Sequence, residues 1–239
     1  MRFFFLLLLL VSCARTPPVV VGVQRPDRVA VFSRIGNSFV VNLQSKALLR
    51  PKETVLDIAS WNLDQNFAEQ FREGLRERGR EFVDFALDRG ELERVLKVRE
   101  SRWKKIEGKE SQALLDFLLR SAEANGIRWI FLLSPELERA RFPLHQGEVG
   151  AYCNDKAKAD SKAYIYFFFR FSVWDVERKK KIFEQLVDPS VSEAIGIGGC
   201  DVISHLEDPM RQFEDPVKKT VGLIVEALFD KMGWKRPGQ

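Results

Sequence analysis

Between positions 162 and 174 the chain has the sequence KAYIYFFFRFSVW, a mostly aromatic and aliphatic run. Alternate side chains of a β-strand point to opposite faces of a sheet, so this segment predicts two unlike faces. The first face is purely apolar and comprises Ile165, Phe167, Phe169 and Phe171. The second face is amphipathic and comprises Tyr164, Tyr166, Phe168 and Arg170. We expect the apolar face to pack on helices, and the amphipathic face to form either a second core layer or a surface for a partner or ligand.

The residues that follow predict a hairpin with a basic tip. Positions 180–187 are again typical of a strand, and positions 175–179 between the two strands have the sequence DVERK. The tip and the start of the second strand carry four consecutive basic residues, Arg178, Lys179, Lys180 and Lys181. One interpretation is a solvated turn that protects the edge of the sheet. The other is contact with anionic head groups or cell-wall polymers.

The rest of the chain predicts alternating strands and helices. A hairpin is expected from strands 29–35 and 38–43 around Gly36-Asn37, and further strands are expected at 82–87 and 127–133. Helices are expected at 60–78, from an Asp88 cap to 98, in a segment ending at Gly126, and from an Asp215-Pro216 start to Gly233. Residues 135–161 are expected to be irregular. The sum is an α/β (α+β) fold for residues 28–239. We expect a single domain with one mixed sheet of about six strands, helices packed on the sheet, and a C-terminal helix.

The first thirteen residues have the pattern of an export signal. Arg2 precedes an unbroken apolar run over positions 3–11, which is about half the length needed to cross a bilayer. The sequence Leu10-Val11-Ser12-Cys13 then resembles the lipobox of bacterial lipoproteins. The resemblance implies a signal peptide at 1–12 and a lipid on Cys13, followed by a proline-containing tether up to residue 27. An ordinary signal peptide that happens to carry a cysteine, and a retained anchor, are the alternatives.

The same resemblance implies a location. The chain would be exported and held by its lipid in the cell envelope. Ala14 stands after the cysteine, which favours the outer membrane, facing the periplasm, if the source is a Gram-negative bacterium. The formal net charge of +4 is small and spread along the sequence, so composition does not predict a nucleic-acid surface.

Two cysteines remain once Cys13 is set aside. Cys153 and Cys200 both fall in predicted loops, and disulfides persist in the compartments that receive exported proteins. A disulfide between them is therefore expected, with two separate thiols as an alternative. The two histidines of the chain, His145 and His205, fall in the same loops, and two cysteines with two histidines are a ligand set that zinc accepts. We nevertheless expect no cofactor.

Two resemblances bear on the mature domain. Its element order is similar to that of α/β envelope accessory lipoproteins, such as the outer-membrane activators of penicillin-binding proteins and the amino-terminal domain of the Tol-Pal translocation protein. Gly198-Gly199-Cys200 resembles the Gly-Cys core of L,D-transpeptidases, but that family has a histidine where Gly198 stands and an arginine where Asp201-Val202 stands. No Gly-x-Ser-x-Gly elbow or phosphate-binding loop is present in the sequence.

The function expected from these features is that of a non-catalytic accessory or binding domain. It would act on an envelope protein or on peptidoglycan, with the membrane reached through the lipid. The alternatives are a cysteine-dependent envelope hydrolase or transpeptidase, and a metal-binding lipoprotein. The first alternative would use Cys200 or Cys153 with His145 or His205, and the second would use all four residues.

Overall fold

A computed structural model describes residues 28–44, 52–85, 87–88, 90–92, 94–95, 109–135, 149–154, 163–187 and 209–238. The strands are β1 (Arg28–Ser33), β2 (Ser38–Gln44), β3 (Lys52–Asp57), β4 (Glu81–Phe82), β5 (Trp129–Pro135), β6 (Val149–Asn154), β7 (Ala163–Phe167), β8 (Phe169–Asp175) and β9 (Lys180–Val187). The α-helices are α1 (Leu63–Glu77), α2 (Lys109–Ala124) and α3 (Pro209–Lys231), with a 3₁₀ turn at Ala59–Trp61. The expected α/β class with a C-terminal helix is therefore confirmed.

The strands form two mixed sheets, so the expectation of one mixed sheet is wrong. Sheet A has the order β4-β1-β5-β8-β9, and sheet B has the order β3-β2-β6-β7. In sheet A, β1 is parallel to both β4 and β5, and in sheet B, β2 is parallel to β6, while all other pairs are antiparallel. The count exceeds the six strands expected because β3 and β6 are additional and the aromatic segment 162–174 divides into β7 and β8.

The aromatic segment changes sheets without changing faces. β7 belongs to sheet B and β8 to sheet A, with Phe168 between them. All four residues of the predicted apolar face enter the same core, because the alternation of side chains continues across the break. Phe67 of α1 meets Phe167 and Phe169 edge to face, with ring centroids 5.9 and 5.4 Å apart. The expectation that this face packs on a helix is confirmed.

The predicted hairpin between residues 29–35 and 38–43 is wrong. β1 and β2 lie in different sheets and do not pair with each other. Gly36, with φ of +94°, allows a turn that carries the chain from sheet A into sheet B. The backbone N–H of Arg34 still donates to Leu133 O (3.0 Å), which extends the β1–β5 ladder up to the crossing. Because β1 pairs with β5 in sheet A and β2 pairs with β6 in sheet B, the two strands do not form a hairpin with each other.

Sheet A lies in the middle of three layers. One of its faces contributes to a large core that also receives side chains from sheet B, α1 and α3. The other face packs on α2 in a smaller core of Ala30, Phe117, Leu118, Leu119, Ala122, Ile127, Ile130 and Val176. This arrangement explains why strands β1 and β5 are apolar at successive positions, since strands buried on both faces have no polar alternation.

Phe71 of α1 lies at the centre of the large core. Its ring is fully buried and contacts Phe131 of β5 (centroids 5.4 Å apart), Phe171 of β8 (5.5 Å) and Phe229 of α3 (5.6 Å). The two helices approach closely here, because Gly74 of α1 leaves no side chain between its backbone and the Phe229 ring. This cluster joins α1, α3 and sheet A into one packing unit.

Several element ends differ from those predicted. α3 begins at Pro209, so the predicted start at Asp215-Pro216 is wrong and Pro216 lies inside the helix. The helical residues before Asp215 are stabilised by Phe213, which is fully buried and packs on Phe39 of sheet B with the ring centroids 5.1 Å apart. Residues 149–154, expected to be irregular, form β6.

Other predicted ends are confirmed. The carboxylate of Asp88 accepts a hydrogen bond from the Glu91 backbone N–H (2.8 Å) and caps the helical residues that follow. Gly126 (φ +64°) and Gly233 (φ +71°) end α2 and α3 in the left-handed conformation that glycine favours.

Candidate functional site

The structure describes only part of the predicted site residues. Cys13, His145, Cys200 and His205 lie outside the described residues, as does the predicted tether. Lipidation, the disulfide and the zinc alternative therefore stay predictions. Within the described ranges, which omit both histidines, no three His, Cys, Asp or Glu side chains are grouped to hold a metal ion.

Cys153 lies in a strand, contrary to the predicted loop. Its backbone is part of β6, where it pairs with Leu43 of β2 on one side and with Ala163 of β7 on the other. The position is one residue before the end of the strand at Asn154. A bond to Cys200 would therefore connect a distant segment to an inner strand of sheet B.

The predicted basic hairpin is confirmed. β8 and β9 pair antiparallel up to Asp175 and Lys180, and residues 176–179 form the turn. The buried carboxylate of Asp175 accepts a hydrogen bond from the Arg178 backbone N–H (2.9 Å), which fixes the turn. Lys179 adopts a left-handed conformation with φ of +49°, which lysine rarely does. The turn therefore holds its basic residues in one defined arrangement.

The charges of this hairpin are partly balanced. Arg178 and Lys179 have side chains 73% and 61% exposed, and Lys179 reaches Glu123 of α2 only at 4.0 Å. Lys181 donates a hydrogen bond to Glu184 (2.6 Å), which also faces Arg170 at 3.4 Å. Partial burial raises the pKa of Glu184, but the hydrogen bonds and charges of these two cations outweigh it and the net pKa is lowered. Glu184 therefore stays ionised and offsets Lys181, whereas Arg178 is mostly exposed and its guanidinium lies 3.9 Å from the Asp175 carboxylate.

The hairpin tip belongs to a larger surface at one end of sheet A. The Arg128 backbone N–H donates to Arg28 O (3.1 Å), and the Val176 N–H donates to Arg128 O (2.9 Å), so three segments align there. The C-terminal segment joins them, since Trp234 packs on Trp129 with centroids 5.5 Å apart. We call this surface the basal end and define it as residues 28, 78–81, 125–128, 175–181 and 232–238.

The basal end carries a net positive charge. Its ten basic and three acidic residues give a net charge of +7. Four carboxylates beside these residues form ion pairs with the cations, namely Glu77, Glu123, Glu184 and Glu226. Counting them lowers the net charge of this end to +3, compared with +4 for the whole chain. Apart from the buried Arg78, every cation of the set is exposed or half-buried. The topology thus collects most of the chain's positive excess at one end.

Arg78 fixes the C-terminal segment to the basal end. Its guanidinium donates to Trp234 O (2.8 Å), to Gly74 O (3.0 Å) and to the Glu226 carboxylate (3.0 Å), and it stacks on Phe229 at 4.1 Å from the ring centroid. We call these interactions the Arg78 clamp. Partial burial raises the pKa of Glu226, but Arg78 and Arg236 outweigh this effect and the net pKa is lowered. The clamp therefore holds an ionised carboxylate against two arginines.

Sheet B presents a second candidate surface. All three tyrosines of the chain, Tyr152, Tyr164 and Tyr166, lie on its strands β6 and β7. Tyr166 is buried and lies against Gly150, whose missing side chain makes room for the ring. Phe168 is buried too, whereas Tyr164 and Arg170 are half-buried. The predicted amphipathic face is thus part core layer and part accessible surface.

The comparisons add no family assignment. No protein-family model matches the chain, and neither does any curated protein. Among the described helices, none combines the length and apolarity that a bilayer-spanning segment requires.

Proposed function

We propose that the protein is an exported lipoprotein whose α/β domain is a non-catalytic accessory or binding module of the cell envelope. One observation supports this reading above the others. Among the described residues, the first strand begins at Arg28 and the core side chains come from Val29 onward. In the sequence, fourteen residues lie between the lipobox-like Cys13 and this strand, a length that suits a tether.

The dimensions suit this arrangement. Fourteen residues separate Cys13 from Arg28, and an extended chain spans at most about 3.5 Å per residue, so the domain would remain within ~50 Å of the membrane. Each buried lipid methylene contributes about 0.8 kcal/mol, and two or more acyl chains give stable attachment. The domain would be confined to a layer in which an envelope protein or peptidoglycan is within reach.

The described residues with displaced pKa values belong to structural ion pairs. Among the described residues, Glu184 and Glu226 have displaced pKa values, and in both cases the ion-pair partners lower the pKa. Here the partners are arginine and lysine, which suits structural ion pairs.

Acylation is the first test. The full chain is expressed in a bacterial host fed an alkyne-tagged fatty acid, next to the variants Cys13→Ser and Cys153→Ser. We expect label on the wild type and on Cys153→Ser, and none on Cys13→Ser. The mass of the processed chain should correspond to loss of residues 1–12. Label that persists on Cys13→Ser contradicts the proposal.

Thiol state separates the binding module from the two alternatives. Intact mass before and after alkylation, without reductant and with zinc assayed in parallel, reports whether Cys153 and Cys200 are bonded. A disulfide without zinc removes both the nucleophile and two metal ligands, as the proposal expects. Free thiols, or one equivalent of zinc, would instead favour the cysteine-dependent or metal-binding alternative. Cross-linking in intact cells then tests binding, and recovery of the lipoprotein alone counts against a partner.

A further inference from the structure

We propose that the basal end is a docking surface for the anionic phospholipid head groups of the membrane that holds the anchor. The inference rests on the proposed function, because the lipid brings this surface to the bilayer. It goes further by assigning an orientation to the domain, with sheet A upright on the membrane and sheet B pointing away from it.

The position of the tether is the first argument. β1 begins at Arg28, and the chain before it can only leave from the basal end. β4, β5 and β9 begin at this end as well, and β8 finishes there, as their pairing with β1 and with one another requires. A tether formed by residues 14–27 would therefore join the domain at this end of the sheet.

Charge is the second argument. The cations come from five separate segments of the chain, and the fold places them together at the end where the tether enters. Arg178, Lys179 and Lys180 are exposed at the hairpin, and Lys235 and Arg236 are exposed beside the clamped Trp234. Each basic residue close to an anionic bilayer strengthens binding about fivefold. A surface of this kind complements phosphate head groups.

The orientation follows from the sheet order. β1 runs away from the basal end and continues into β2 of sheet B, and β7 of sheet B leads back into β8. Sheet B is therefore joined to the far end of sheet A. Its half-buried tyrosines, Tyr152 and Tyr164, would face the compartment, where a partner can reach them.

Vesicle co-sedimentation tests the surface without the lipid. The chain from residue 13, carrying Cys13→Ser, is mixed with phosphatidylcholine vesicles that contain either no anionic lipid or roughly 30% phosphatidylglycerol, at low and high salt. The double variant Arg178→Gln/Lys180→Gln removes two exposed charges. The control Lys218→Gln/Lys219→Gln removes two charges from α3, about 18 Å along the helix from its C-terminal end. Urea midpoints verify that both variants fold.

The expected result is binding that requires the anionic lipid and disappears at high salt. The basal double variant should bind roughly 25-fold more weakly, whereas the control stays within about twofold of the wild type. Equal losses in both variants, equal binding to neutral vesicles, or no binding to anionic vesicles overturns the inference. Fatty-acid labelling of Cys13 is read out separately. If the wild type takes up no fatty-acid label but the chain still binds anionic vesicles, only the lipid anchor is rejected. If the wild type is labelled but the chain does not bind anionic vesicles, only the docking surface is rejected.

Discussion

Replacing Arg78 by alanine should destabilise the domain far more than its place at the end of a helix suggests. Its side chain is 3% exposed and makes four hydrogen bonds, two of them to Glu226. Removing one partner of a buried ion pair costs about 3–5 kcal/mol, and a hydrogen bond to a charged group contributes about 1.5–3 kcal/mol. The Glu226 side chain is 40% exposed and keeps Arg236 as a partner, which lowers the cost. We expect a loss of about 3 kcal/mol in the free energy of unfolding.

The assay is urea denaturation of the mature chain, followed by tryptophan fluorescence. Trp234 accepts one of the Arg78 hydrogen bonds through its carbonyl and packs on Trp129, so the signal reports on the clamp. Arg78→Lys keeps a charge but lacks the planar fork of donors, and should lose about half as much as alanine. Arg76→Ala, an exposed change in the same helical turn, is the control and should stay within about 0.5 kcal/mol of the wild type. If Arg78→Ala behaves like the control, the clamp does not stabilise the fold and the reasoning fails.

Two further predictions concern the same helix pair. Gly74→Ala places a methyl group against the Phe229 ring and should cost about 1–2 kcal/mol in urea denaturation, after the better helix propensity of alanine is counted. Gly90→Ala meets its nearest neighbour at an ordinary 3.4 Å and should leave stability unchanged or higher; equal losses in both variants would contradict the close helix contact. Because the folded-state pKa of Glu226 is below its ordinary value near 4.5, its contribution is complete above that pH and disappears as the pH falls through the lowered pKa. Glu226→Gln should therefore lose at most about 1 kcal/mol at pH 7, and the loss should shrink steadily as the pH falls below 4.5; a loss that grows in acid would refute the assignment.

The sequence predicted which face of a strand is buried more successfully than it predicted which strands pair with each other. The alternation from Ile165 to Phe171 correctly identified the side of the aromatic segment that packs on helices, because a period of two survives the break at Phe168. It did not predict that the segment changes sheets, since the side chains alternate in the same way in one long strand and in two short ones. The hairpin predicted around Gly36 was wrong for a related reason. A Gly-Asn turn can either reverse the chain into a hairpin or carry it from one sheet into another. Here β1 pairs with β5 and β2 with β6, so the turn connects two sheets.

The candidate site was predictable only where it is continuous in sequence. The cluster from Arg178 to Lys181 is visible as four adjacent cations, and the hairpin that carries it was expected. The remaining cations of the basal end are scattered over four other segments, so only the topology brings them together. The burial of Arg78 depends on Glu226, whose position 148 residues later no local pattern indicates.

The parallel strand pairs also bear on when the domain is able to fold. Val29 pairs with Trp129 and Phe39 with Val149, so β1 and β2 each have a parallel neighbour at least 100 residues further along the chain, although β1 also pairs with the short β4. Contacts between such distant residues slow folding, because a large loop must close before they form. During synthesis β1 and β2 stay without these neighbours until more than half of the chain exists. For a chain exported as proposed above, that delay would be an advantage, since slow folding keeps a chain in the extended state that translocation requires.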